Sequence, residues 1–195
     1  MHFEPIAIVG RACLLPGANS PQQLWQAIVD KQNLVSRVPA GRWGLSAKNA
    51  LKDPALGGNA EDAAWCDKGG YVDGFEKVFN PEGFGIAAKE ITKLDPIVQW
   101  VLHTGREALR DAGLKGSAKT GAIFGNLSFP TSGLSRFAER VWMGDKQATL
   151  AGVPASDPTN RFMSGLPAHY LAQALELGGA AYCLDAACAS SLYAI

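Results

Sequence analysis

Charge of a single sign is missing from this chain: 18 Lys and Arg balance 18 Asp and Glu, for a formal net charge of zero. Without a basic excess there is no electrostatic footprint for nucleic acid or for an anionic membrane surface. Long hydrophobic runs are missing too. No stretch approaches the roughly 18 apolar residues of a membrane span. Met1-His2-Phe3-Glu4-Pro5 carries neither a basic region nor a signal-like apolar stretch, so the cytoplasm is the expected compartment. Histidine is scarce, with three in all, and none of the four cysteines stands in C-x-x-C spacing. That pattern excludes the common zinc modules, and thiols in such a compartment are expected to be reduced. The glycines of Gly121-Ala122-Ile123-Phe124-Gly125 form no G-x-G-x-x-G fingerprint, and no G-x-x-x-x-G-K-[ST] occurs in the chain. Neither an internal repeat nor a heptad pattern is visible, and neither a metal nor a nucleotide cofactor is indicated.

What is present describes a globular α/β protein. Hydrophobic residues make up 47% of 195 residues and charged ones 18%, enough for one domain, residues 1–195, with a substantial core. Pro5-Ile6-Ala7-Ile8-Val9-Gly10 and Gly121 to Asn126 predict short buried strands. Ser20-Pro21-Gln22-Gln23 predicts a capping box, followed by a helix with Leu24, Trp25, Ile28 and Val29 on one face. Val35 to Gly70 predicts a long ordered surface excursion in which Trp43 and Trp65 supply something to bury. Asp95-Pro96 opens a second helix that runs to Gly113, its apolar stripe including Val98, Val101 and Leu102. Gln99, His103, Arg106 and Arg110 make its polar stripe, which assigns His103 to the surface. Leu127 to Asp157 reads as loop and weak helix. Asp157-Pro158 then opens a helix that carries Phe162, Leu166, Tyr170 and Leu171 to Gly178-Gly179, with His169 as a packed or hydrogen-bonded structural residue. Strands alternating with amphipathic helices indicate a layered α/β fold.

The chemistry gathers at Asp185-Ala186-Ala187-Cys188-Ala189-Ser190-Ser191. Ala180 to Leu184 predicts a buried strand that delivers Cys188 into a turn of small residues, and Ser190 to Ile195 predicts the opening of a helix. Free N–H groups and the helix dipole at such a start favour a thiolate. Taken alone, the spacing also fits a small buried cysteine at a helix start. Cys13 and Cys183 sit in apolar contexts that predict inert packing, and Cys66 lies in a loop-like stretch.

The chain resembles the N-terminal half of the β-ketoacyl synthases, the condensing enzymes of fatty-acid and polyketide assembly. The resemblance runs from Ile6 to Ala18 through Val38-Pro39-Ala40-Gly41-Arg42-Trp43, Gly70-Tyr71-Val72-Asp73, Phe84-Gly85-Ile86, Leu94-Asp95-Pro96 and Glu107 to Gly113. It ends at Asp185 to Leu192, which looks like the nucleophile motif. The excursion with its Arg-Trp element is similar to that of the multidomain, type I synthases. Arg161 to Pro167 and Leu184 to Ile195 look most like the synthases of bacterial polyunsaturated fatty-acid megasynthases. Ala186 and Ala189 stand where many polyketide relatives have Thr and Ser, and Ile97-Val98-Gln99 replaces the usual Gln-Gln-Arg.

The resemblance implies a thiolase-like layered fold, here its N-terminal half, with a mixed sheet packed between helices. It implies that Cys188 accepts an acyl chain as a thioester for decarboxylative condensation with a malonyl-carrier protein. The substrates would ride on the phosphopantetheine of an acyl carrier protein, with no cofactor bound by the chain itself. Two histidines and a lysine of the C-terminal half would serve the second step. His2, His103 and His169 match no catalytic-histidine motif, so none is assigned as acid or base. A homodimer or a partner synthase half is the expected assembly, and the chain alone is expected not to condense. Two alternatives remain open: an incomplete interaction module that docks with a full synthase, and another thiolase-like acyltransferase.

Overall fold

The computed structural model describes residues 5–43, 46–52, 63–126, 131–155 and 165–195. Cys13–Val78 forms one compact unit, and Met1–Ala12 joins Phe79–Ile195 in the other.

In the first unit, Ser20 caps helix α1 (Pro21–Val29), its side chain accepting from the Gln23 N–H. The return bond of the expected capping box is shifted by one residue: Gln23 Oε1 accepts from the N–H of Asn19 at 2.7 Å. The predicted apolar face does not become core, because Ala27 is the buried residue of α1 while Trp25, Ile28 and Val29 remain exposed. The excursion is clipped at both ends. Strand β1 (Ser36–Arg37) pairs antiparallel with β2 (Lys68–Gly69), which follows helix α2 (Ala47–Ala50) in the chain. Arg37 meets Asp67 at 2.7 Å, and Ala50 to Lys52 exchange backbone bonds with Ala64. Trp43 is half-buried as expected. Trp65 is not: it is 83% exposed, with the Lys52 ammonium 4.1 Å from its ring centre. A cation over an aromatic face stabilises a ring that stays in water.

The second unit carries the core. Helix α3 (Ala88–Ile91) contributes the fully buried Ile91, and Asp95 accepts from the Ile97 N–H to cap helix α4 (Pro96–Asp111). At the other end Gly113 takes φ +66°, Leu114 N–H donates to the Leu109 carbonyl and Gly113 N–H to that of Arg110. These are the bonds of a Schellman ending, and the left-handed position explains the glycine. Strand β3 (Ala122–Gly125) follows. The segment expected as loop and weak helix instead holds α5 (Ser132–Met143), capped by Thr131, and α6 (Asp145–Leu150). Arg140 ties them, donating to Asp145 Oδ1 and to the Val153 carbonyl. Helix α7 (Leu166–Ala174) leads to strand β4 (Ala181–Leu184). The expected start of this helix, Asp157 to Met163, lies outside the described residues.

β3 and β4 pair in parallel, with Ala122 opposite Ala181 and Gly125 opposite Leu184. A parallel pair requires a long crossover, which the α5–α7 segment supplies. α7 packs on both strands and α4 packs on α7. Gly105 permits the α4–α7 approach: a Cβ there would stand 2.5 Å from Leu171 Cδ1. Ile86, Ile91, Leu102, Ala122, Leu171 and Ala174 form the buried cluster between these layers. The strand expected at Pro5–Gly10 does not form. Ile6 and Ile8 are more than four-fifths exposed, and among the described residues no strand pairs with them. The segment is tied at its end, where Arg11 N–H donates to Asp111 at 2.8 Å and Gly10 lies close against Ala108 and Ala112 at the end of α4. Among the described residues no helix is long and apolar enough to cross a membrane.

His103 is buried, not on the surface, with its ring edge-on to Phe79 at 6.3 Å. Around His103 the polar stripe of α4 is covered: Arg106 lies over the Phe84 ring and donates to the Glu82 carbonyl, while Arg110 farther along stays exposed. Burial pushes the His103 pKa below its ordinary 6.5, against the opposing pull of Glu107 and with help from Arg106 and Arg110. Below about pH 6.5 the unfolded chain therefore binds more protons than the folded one. Stability is complete above that pH and falls as pH drops toward the depressed value. Urea midpoints at about pH 7.5 and about pH 5.5 should show this loss, and His103→Gln should shrink it. An equal loss in both proteins would exclude His103 as its source.

Candidate active site

β4 ends at Leu184, which holds the Asn126 N–H beyond β3, and the chain then turns sharply. Ala187–Ala189 forms one 3-10 turn and Ser190–Tyr193 the short helix α8. Cys188 sits in the middle of that turn and is exposed. The predicted strand-to-helix elbow is therefore present, with the turn interposed before the helix. Ala187 adopts φ +49°, the left-handed region. For a residue with a Cβ this costs on the order of 1–2 kcal/mol, so the surroundings must hold it.

Two side chains do so. Asp185 Oδ1 accepts from the Ala187 N–H at 3.0 Å, a turn closed two residues ahead. Ser190, 6% exposed, accepts from the Ala186 N–H at 2.9 Å and donates to the Ala187 carbonyl at 2.7 Å. Beneath them, β3 reaches the elbow through Gly125. An added Cβ there would stand 2.6 Å from the Ser190 carbonyl carbon and 2.7 Å from Ser191 N. The sequence reading identified the Asp185–Ser191 run but missed these jobs. Side-chain oxygens two and three residues from a turn N–H or carbonyl were the available signal for Asp185 and Ser190. Gly125 had none, because its contact is long-range.

The other cysteines separate by environment. Cys183, on β4 and half-buried, has its thiol pKa raised by burial, with the Ala168 backbone and the Asn126 side chain opposing. Burial likewise raises that of Cys13. Both fit packing roles. Cys66 is exposed, its Sγ 3.7 Å from the Lys68 carbonyl. His169, expected to be a packed or hydrogen-bonded structural residue, is exposed on α7, its ring edge-on to Tyr170, and His2 lies outside the described residues. Among the described residues, no histidine bonds to the elbow and no three His, Cys, Asp or Glu side chains gather as a metal cluster.

Known proteins resemble the chain over nearly its whole length. A mycocerosic acid synthase-like polyketide synthase of Mycolicibacterium smegmatis is 34% identical over 98% of this chain, which spans 8% of that protein. A mycoketide-CoA synthase of Mycobacterium tuberculosis is 35% identical over 98% of the chain and 4% of its own length. The chain thus spans less than a tenth of these curated relatives. Among solved structures, the PfaC ketosynthase–chain length factor superposes with a TM-score of 0.80 and 30% identity, over 96% of this chain and 21% of that one. The family model described as β-ketoacyl synthase, N-terminal domain, matches residues 3–195, so the chain belongs to the β-ketoacyl synthases, with their thiolase-like fold.

Proposed function

We propose that Cys188 is the acyl-accepting nucleophile of a β-ketoacyl-carrier-protein synthase. The observation that supports it best is the exposed thiol at the centre of a strained, doubly clasped elbow at the end of a parallel strand. Strain retained at one small turn, in a family of condensing enzymes, fits a site that must present one sulfur.

The Cys188 thiolate attacks the carbonyl of an acyl-carrier thioester. A C–S bond forms and the carrier thiolate departs, one thioester replacing another. A malonyl-carrier protein then loses CO₂, and the resulting carbanion attacks the Cys188 thioester. A C–C bond forms, the β-ketoacyl chain stays on the carrier and the Cys188 thiolate is released. The Cys188 N–H would be one of the donors to the tetrahedral oxyanion. The acyl carrier protein, with its phosphopantetheine arm, is the substrate-bearing partner, and the complete enzyme is a homodimer or pairs with a further synthase half. The decarboxylating step needs histidines, and among the described residues none bonds to the elbow; on this reading the chain alone loads an acyl group and does not condense. The resemblance of Leu184 to Ile195, with the likeness to the PfaC ketosynthase, favours the polyunsaturated fatty-acid branch.

Incubation with a simple acyl thioester, followed by peptide mass spectrometry, should show acylation at Cys188. Cys188→Ala should abolish it, while Cys66→Ala leaves it intact. Acylation that persists in Cys188→Ala would overturn the assignment, and an unmodified Cys188 in the unsubstituted chain would favour a docking module.

A further inference from the structure

The elbow carries more than a cysteine. The peptide unit linking Ala187 to Cys188 has two polar ends, the Ala187 carbonyl and the Cys188 N–H. In a planar trans unit these point in opposite directions. Whatever holds the carbonyl therefore aims the N–H. Ser190 holds it, donating its Oγ hydrogen to the Ala187 oxygen at 2.7 Å from a site 6% exposed. The same Oγ accepts from the Ala186 N–H and so fixes the peptide between Asp185 and Ala186. The unit between them is pinned at both ends, its N–H by Asp185 and its carbonyl by the Ala189 N–H at 3.1 Å. Three consecutive peptide planes are thus set, and Ser190 sets the first and the last.

We propose that Ser190 is a positioning residue that aims the Cys188 N–H as an oxyanion donor, acting on thioester attack and not on the sulfur itself. The inference rests on Cys188 being the acyl acceptor. Without the hydroxyl, the Ala187 carbonyl and the Ala186 N–H both lose their partner in a part-buried turn seated on the buried Ser190. Leaving such groups unsatisfied is unfavourable, and the strained φ at Ala187 loses one of its two clasps, leaving that of Asp185. The turn relaxes by rotating the Ala187–Cys188 peptide, which swings the Cys188 N–H away. The thiol stays exposed throughout.

Two electrophiles separate these effects. Attack on a thioester builds an oxyanion and needs the aimed N–H. Alkylation by iodoacetamide displaces iodide and builds none. In the full chain, Ser190→Ala should slow acylation of Cys188 by acetyl-N-acetylcysteamine about ten-fold or more, given that loss of one oxyanion donor costs about 10²–10³. Its alkylation by iodoacetamide should change less than about two-fold. Cys183 and Cys66 serve as internal standards: Cys183 should remain slow and Cys66 unchanged. Ser190→Thr, which keeps the hydroxyl, should restore the ratio of the two rates. Should Ser190→Ala expose Cys183, signalling an unfolded turn, the ratio in Ser190→Thr decides: near the original it supports the assignment, ten-fold lower it overturns it. Parallel loss of both reactions, or no change in acylation, in a folded Ser190→Ala overturns the inference while leaving the nucleophile intact. No acylation in the unsubstituted chain overturns the nucleophile assignment itself, and this one with it.

Discussion

Gly125→Val is expected to destabilise the second unit by about 3 kcal/mol, the upper range for overpacking, and to abolish acylation of Cys188. Local preference argues the opposite way. Valine is a strong strand former and glycine a poor one, so on β-propensity alone the substitution gains up to ~1 kcal/mol. Packing decides the sign. The first added carbon would stand 2.6 Å from the Ser190 carbonyl carbon, where ordinary contact begins at 3.4 Å, so backbone must retreat by about 0.8 Å (3.4 − 2.6). Both contacting groups are main chain, and a main chain cannot rotate away as a side chain does. The group that retreats is Ser190, whose hydroxyl holds the turn around Cys188. Fold and site are therefore lost together. Gly165→Ala is the matched control, because among the described residues nothing lies within 4 Å of its added carbon and its φ of −102° suits any residue. Urea midpoints and acyl loading should fall together in Gly125→Val and stay put in Gly165→Ala. A stabilised Gly125→Val with normal loading would show that β3 does not bear on the elbow.

Gly125 also marks where sequence reading stops. Signals that act within a few residues were legible: Ser20-Pro21, Asp95-Pro96 and the Gly113 ending all form as their spacing predicts. The strands Ala122–Gly125 and Ala181–Leu184, and the turn that carries Cys188, were legible for the same reason, but the expected burial of the strands is not found: Ile123 and Tyr182 are exposed. Failures came where a distant element decides the outcome. His103 fell on a polar stripe, and a polar stripe normally faces water; here Phe79, Phe84 and Glu82 come over it from an earlier part of the unit. Ile6 to Val9 have a strand's composition, but composition does not supply a pairing edge. Leu134, Phe137 and Val141 carry a helical period within α5, with Thr131 as its cap, in a segment whose sequence reads as loop and weak helix. At the site, the sulfur was legible and its supports were not. Ser190 looks like any small residue until its two bonds are placed.

Leu102→Ala should cost about 3 kcal/mol, within the 2–5 range for deleting a buried leucine, yet leave the acylation rate of each folded molecule near its original value. Leu102 is fully buried where α4, α7 and the start of β3 meet, against Ile91, Ala122, Leu171 and Ala174. Its removal leaves a cavity that the surrounding layers cannot readily close. Gly105 already brings α4 hard against Leu171, so further approach of the two helices is blocked. Ala122, however, is at the opposite end of the β3–β4 pair from Gly125 and Leu184, where the elbow begins. The cavity weakens the platform without touching the hydrogen bonds that aim Cys188. The half-buried Cys183 on β4 reports the distinction. In Leu102→Ala its alkylation should accelerate, because transient opening scales with lost stability, while acylation of Cys188 under stabilising conditions holds. If acylation instead falls in proportion to stability, the elbow is not an independently clasped turn, and the core itself positions the nucleophile.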